Sequence, residues 1–128
     1  MFTTLNVFNM ARAMAEHAAQ RQTVIARNIA NADTPGYRAR DISSFSEALS
    51  ENGGFAMRAT RTAHLNRAGA SGPTWEEFEA RSSLEPGRNG VSLEEEMVKA
   101  AEVRSEHNRA LAIYRSSLAI LRSSLGRV

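Results

Sequence analysis

Apolar side chains return every third or fourth residue in two long stretches, one at each end of the chain. Toward the C-terminus the stripe runs Leu93, Met97, Ala100, Arg104, His107, Leu111, Tyr114, Leu118, Leu121 and Leu125. Steps of four and three alternate throughout, which is the seam of a coiled coil, where apolar groups recur about every 3.5 residues. No proline interrupts this stretch, and glycine first appears in it at Gly126. Ser92 followed by Glu95 has the capping-box spacing, so these two are the expected helix cap. Glu94, Glu95 and Glu96 stand at the positive end of the helix dipole, and Arg115, Arg122 and Arg127 toward the negative end. A helix over 92–126 is about 50 Å long. One small globule does not cover both sides of such a rod, so it calls for a partner helix from its own chain or another.

The second stripe is Val7, Met10, Met14, Ala18, Arg21, Ile25, Ile29 and Ala32, with Arg12, Glu16, Gln20, Thr23 and Arg27 on the other face. It predicts a helix over 1–33. The two amphipathic helices suit pairing with each other. The predicted class is all-α, with long N- and C-terminal helices pairing as an antiparallel coiled coil around an irregular, partly extended middle segment, 34–91. The whole chain reads as one domain, 1–128. Within the stripes Arg21, Arg104 and His107 are polar. Either their stems snorkel to the helix edge or they fix the register between helices.

The first helix ends sharply. Thr34 precedes a proline and is pushed out of the helical region. Thr34-Pro35-Gly36-Tyr37 has the residue order of a type II turn. Asn28 and Asn31, three apart on one face just before the break, suit either C-capping and turn bonding or hydrogen bonds to a neighbouring chain. In the middle, Ile42–Leu49 reads as a short helix with Ile42, Phe45, Ala48 and Leu49 on one side. Asn52-Gly53-Gly54 closes it, Phe55–Leu65 reads as extended, and 69–73 as loop. Trp75 and Phe78 sit among glutamates, and Pro86-Gly87 and Asn89-Gly90 mark turns before the second long helix. This middle is not expected to fold alone; it is either held by what surrounds it or disordered in the free protein.

Composition narrows the function. Aromatic residues make up 6% of the chain, and many apolar positions are alanine, which favours close helix-on-helix packing. Formal net charge is +2, too small to hold nucleic acid, and the basic residues are scattered; all but Lys99 are arginine, suited to carboxylate pairing at interfaces. There is no cysteine, hence neither disulfide nor thiolate metal site. No apolar run nears the ~20 residues of a membrane span. The first eleven residues carry no charged side chain, so the basic region of a cleavable secretory signal is missing. His17, His64 and His107 lie in separate segments without metal-ligand spacing. No phosphate-binding loop, nucleophile elbow or nucleophile-base pair is present. No enzyme, cofactor, metal or small-molecule substrate is expected.

Two pieces of sequence carry a resemblance. The run Asn28-Ile29-Ala30-Asn31-Ala32-Asp33-Thr34-Pro35-Gly36-Tyr37 closely resembles the NIANxxTPGY motif of flagellar rod, hook and hook-associated proteins. The run Asn89-Gly90-Val91-Ser92-Leu93-Glu94-Glu95-Glu96-Met97 is similar to that family's N-x-V-x-L-x-x-E-M lead into its C-terminal helix. After the turn, Tyr37–Ile42, Phe45 and Leu49 most resemble a proximal rod subunit. The resemblance departs from the family at 104–109. It implies a structural subunit of the flagellar basal-body rod, located in the periplasm and exported unfolded by the flagellar type III apparatus. Its terminal helices would polymerise to transmit torque. The implied partners are itself, other rod proteins, the membrane-embedded ring, the rod-ring adaptor and the export gate. The motif residues, the cap Ser92 and Glu95, and the seam residues Val7, Met10, Met14, Ile25, Ile29, Leu93, Met97, Leu111, Tyr114, Leu118, Leu121 and Leu125 are the candidate sites. The alternatives are the sister proximal rod protein, or outside the family a cytoplasmic coiled-coil adaptor or DNA-binding regulator.

Overall fold

In the computed structural model, residues 2–51, 75–80 and 90–126 are described. The elements are α1 (Phe2–Ala30), β1 (Arg40–Ile42), α2 (Phe45–Glu51), β2 (Glu77–Glu79) and α3 (Leu93–Ser124). The turn signals at 52–54, 69–73 and 86–87, Asn89 and the extended reading of 55–65 lie outside the described residues.

The two long helices lie antiparallel. At one end Asn28 of α1 meets Glu96 of α3. At the other, the rings of Phe8 and Tyr114 stack edge to face at 5.2 Å. Between the helices, buried positions recur at a seven-residue interval, Ala11, Ala18 and Ile25 on α1 and Glu96, Val103, Ala110 and Ser117 on α3, while His17, Val24 and Asn28 of α1 are buried beside that line. That interval defines a coiled-coil seam. Ala18, Ile25 and Val103 form its apolar centre, with Ala100 against them. Small residues at Ala11, Ala18, Ala110 and Ser117 let the two backbones approach closely, as the alanine content suggests.

The pairing seam is rotated from the stripe of large apolar residues. Ile25 is buried in it, while Met10, Met14, Leu111, Leu118 and Leu121 are half-buried along its flanks. Val7, Ile29, Leu93, Met97, Tyr114 and Leu125 are exposed and take no buried place between α1 and α3. The reason is size and charge. A stripe drawn through the bulkiest groups passes over small residues and carboxylates, and the α3 side of the helix contact runs through Glu96, Val103, Ala110 and Ser117.

A second cluster fixes the middle of the chain to the outer face of α1. Val24, Ile42, Ala48 and Trp75 are buried together with Phe45 against them. Ile42 contributes from β1, not from a helix, because the helical turn begins only at Phe45. His17 is 1% exposed in this cluster; its Nε2–H donates to the Ser43 carbonyl at 2.8 Å, and its ring lies 4.8 Å from Trp75. β1 pairs antiparallel with β2 in the register Arg40–Glu79, Asp41–Phe78, Ile42–Glu77. Just before β1, Arg38 forms an isolated parallel bridge with Gly90. A side chain at Gly90 would stand 3.1 Å from the Tyr37 carbonyl, so this close approach requires glycine.

Ser92 caps the start of α3, and its hydroxyl donates to Glu94 Oε2 at 3.3 Å. The amide of Glu95 donates to Ser92 Oγ at 3.4 Å, and Ser92 is extended at φ −92°, ψ 116°. Among the described residues no helix is long and apolar enough to cross a membrane.

The rotated seam sets a clear expectation. Ile25→Ala lowers the unfolding free energy by about 2–4 kcal/mol, whereas Met97→Ala stays within about 0.5 kcal/mol of the parent. Urea unfolding followed by helical circular dichroism distinguishes them; a larger loss at Met97 would place the seam on the wrong face.

Candidate functional site: a polar clasp between the two long helices

The turn after α1 forms as its residues dictate. The Tyr37 amide donates to the Thr34 carbonyl at 3.2 Å, and Gly36 has φ 77°, the left-handed value that a type II turn demands. Asn31 caps the helix locally. Its Nδ2 donates to the Arg27 carbonyl at 2.8 Å, and its Oδ1 accepts from Thr34 Oγ1 at 3.3 Å. Ile29, Ala30, Pro35 and Gly36 are exposed, and Tyr37 is half-buried.

Asn28 does something else. It is fully buried, and its amide makes four hydrogen bonds. Nδ2 donates to the Arg40 carbonyl at 2.7 Å and to Glu96 Oε2 at 2.8 Å. Oδ1 accepts from the Arg40 amide at 3.0 Å and from the Tyr37 hydroxyl at 3.2 Å. Two donors and two acceptors are the full capacity of a carboxamide. One side chain thus holds the end of α1, both backbone groups of the first β1 residue, the turn tyrosine and the start of α3.

Glu96 completes the pair. It is 2% exposed, and its second oxygen accepts from Lys99 Nζ at 2.8 Å. Lys99 stands 3.7 Å from Asp41 Oδ2. Asp41 in turn accepts from Arg21 through Nε at 2.8 Å and Nη2 at 3.2 Å, and from the Ile42 amide at 2.8 Å. The run Tyr37, Asn28, Glu96, Lys99, Asp41, Arg21 is a continuous network, with Asn28, Glu96 and Asp41 buried and the other three half-buried. Burial alone pushes the Asp41 carboxyl up. The Arg21 hydrogen bond, the Ile42 amide, and the charges of Arg21 and Lys99 outweigh that effect and hold it below the usual aspartate range. A buried charge without such partners would cost several kcal/mol. Around the clasp, exposed pairs join Arg27 and Arg40 to Glu77 and Arg38 to Glu79. Exposed pairs of this kind contribute little each.

Of the expected sites, the clasp therefore brings together Asn28 and Tyr37 from the first motif, while the cap Ser92 positions the α3 turn that carries Glu96. Arg21, which stands in the first stripe, is fixed by Asp41 instead of snorkelling to solvent. Sequence reasoning missed Glu96, Lys99 and Asp41 as members. Glu96 is one of three successive glutamates and looks like a dipole partner. The signal that singles it out is its seven-residue spacing from Val103 and Ala110. In the second motif it is the glutamate of N-x-V-x-L-x-x-E-M, so the two motifs, 68 residues apart, meet in one hydrogen bond.

The fold and clasp define a structural helical hairpin in which the end of α1 locks onto the start of α3. A family profile described as "Flagella basal body rod protein" matches residues 10–38, the segment that supplies Arg21, Asn28 and Tyr37. The flagellar basal body rod protein FlgB of Agrobacterium fabrum is 32% identical over 122 residues, covering 88% of this chain and 87% of that protein. FlgB of Salmonella typhimurium is 35% identical over 109 residues, 78% of each. FlgB of Escherichia coli is 36% identical over 103 residues, 73% of this chain and 74% of the relative. The chain belongs to the FlgB family of flagellar basal-body rod proteins, a structural family.

Two measurements probe the clasp. Asn28→Ala leaves the buried Glu96 carboxylate and both Arg40 backbone groups short of a partner, and costs about 3–5 kcal/mol. Combined with Glu96→Ala, the losses fall short of additive by about 1–3 kcal/mol; strict additivity would show the two do not interact. The Asp41 carboxyl is held below its ordinary range, so its contribution is whole above the unfolded value of about 3.9 and drains as pH falls through the lower native value. Wild-type stability accordingly falls on acidification below about pH 5, and Asp41→Asn flattens that fall. Equal acid slopes in both proteins would contradict the assignment.

Proposed function

We propose that the chain is a structural subunit of the proximal rod, standing in the periplasm, exported unfolded by the flagellar type III apparatus, and transmitting torque as part of a helical tube. The supporting observation is apolar surface that the hairpin leaves open. Met97, Val98 and Ile120 are 60% exposed or more and Leu125 is 78% exposed, with Val7, Leu93 and Tyr114 also uncovered. Exposed apolar groups at this density on two paired helices favour neighbours. Each leucine- or methionine-sized group buried at such a contact contributes roughly 1.5–3 kcal/mol. Contacts that repeat without closing build a tube. The neighbours in this reading are further copies and other rod proteins, with the membrane-embedded ring, rod-ring adaptor and export gate at the rod base.

Export unfolded fits the clasp. Its halves lie 68 residues apart, and Asn28 and Glu96 each lack one hydrogen bond without the other. A chain threading outward cannot close the hairpin until the start of α3 has emerged, so folding and release are coupled. Assembly then adds to stability by mass action.

The test is Met97→Asp in cells whose own FlgB is deleted. The variant keeps wild-type helical content in solution, is made and exported at normal level, but is absent from isolated basal bodies and does not restore swimming. Full motility with Met97→Asp in place would remove the exposed stripe from the assembly contact.

A further inference from the structure

The small sheet beside α1 has two edges, and the protein treats them differently. In an antiparallel pair the backbone groups of successive residues point alternately toward the partner strand and away from it. Asn28 holds both backbone groups of Arg40, and Asp41 Oδ1 accepts from the Ile42 amide, so Arg40 and Ile42 turn their amides away from β2. That edge of β1 is closed, because the Asn28 carboxamide makes the pair of bonds that a neighbouring strand residue would make. Asp41 then faces Phe78 as a hydrogen-bonded pair, and beyond it the Ala80 amide donates to the Ala39 carbonyl at 2.9 Å. Glu77 and Glu79, opposite Ile42 and Arg40, therefore aim their amides and carbonyls at the far side of β2. Among the described residues no strand pairs with that side. An open row of this kind is a template for a further strand.

The side chains along the open edge limit what fits there. Phe78 is 49% exposed, Glu76 and Glu79 are exposed, and Glu77 is half-buried. The arginines that meet these glutamates, Arg27, Arg38 and Arg40, come from α1 and the start of β1, not from the open side. A second copy of β2 is a poor occupant. Antiparallel pairing about Phe78 sets Glu77 of each copy opposite Glu79 of the other, parallel pairing in register sets each glutamate beside its own copy, and like charges placed so repel. We propose that the open edge of β2 docks an extended segment of another protein, one that alternates basic and apolar side chains. Its backbone pairs with Glu77 and Glu79 as an added strand. Its basic groups stand beside the two carboxylates, and the apolar group between them covers Phe78. The contact uses neither long helix and goes beyond the rod-subunit reading.

The probe is a short synthetic peptide alternating arginine and valine, added to the full-length chain. Hydrogen exchange followed by NMR shows the Glu77 and Glu79 amides slowing roughly tenfold or more on binding, while the Phe78 amide, which already faces β1, is unchanged. Glu79→Pro removes one outward amide and leaves the bonds to β1 in place, since proline suits an edge strand whose N–H faces solvent. It weakens peptide binding roughly tenfold or more. Methylating the peptide nitrogens that face β2 tests the same bonds without altering the protein, and it has an effect of similar size. A peptide with glutamate in place of arginine does not bind. Peptide binding that leaves the Glu77 and Glu79 amides fast overturns the strand-addition site, and so does equal binding by the glutamate peptide. Two further results overturn the assigned occupant. Glu77 and Glu79 amides already slow in the dilute free chain would give the edge to the chain's own residues. Slowing that grows with protein concentration in the absence of peptide would give it to a second copy.

Discussion

Everything in this structure hangs on one buried carboxamide. Asn28 spends all four of its hydrogen-bonding positions inside the protein, and one of them goes to the equally buried Glu96. In a low-dielectric site a polar group is costly unless fully partnered. The two residues therefore demand each other. Meeting that demand brings the end of α1 to the start of α3, sets the helices antiparallel and pins the strand that follows the turn. Apolar burial along the hairpin supplies most of the stabilisation, yet it specifies the arrangement weakly, since alanines and a valine at seven-residue spacing tolerate sliding by one heptad. The clasp does not tolerate it, because a shift would part Asn28 from Glu96 and leave a buried amide and a buried carboxylate oxygen each short of a partner. A polar pair in a coiled-coil seam acting as a register mark is the best-attested use of such groups.

Much of this was legible in the sequence. The 3–4 periodicity gave both helices, Ser92 gave the start of α3, and Thr34-Pro35-Gly36-Tyr37 gave the turn, because each is a local preference with a local cause. What was not legible was which face of each helix turns inward. Periodicity locates a stripe but weighs large apolar groups above small ones, and the seam is built from Ala11, Ala18, Ala110 and Ser117. The clasp was half legible. Asn28 stood out as an asparagine that a helix does not favour. Glu96 was hidden between two other glutamates, and its role depends on contact with a residue 68 positions away, which no local pattern encodes. Trp75 and His17 were similarly obscure as partners, because the cluster that holds them joins α1 to a distant stretch of chain.

The division of labour suits a subunit of the FlgB family. The polar clasp makes the hairpin a unit of fixed shape. The large side chains displaced from the seam, Met97 and Leu125 among them, remain outside and available to neighbours. Had the bulkiest residues filled the intramolecular seam, a more stable monomer with less to offer a neighbour would result. Small groups in the seam and large groups outside it reverse the usual order of a globular core, and that reversal is what the proposed assembly calls for.

Hydrogen exchange on the full-length chain in solution tests this account most directly. The Arg40 amide, bonded to buried Asn28 Oδ1, is predicted to exchange as slowly as the amides around Val24, Ile25 and Val103, with protection declining along both helices toward the chain termini. An Arg40 amide that exchanges as fast as an exposed loop, or protection that is greatest at the chain termini, would contradict the claim that the clasp holds the fold together.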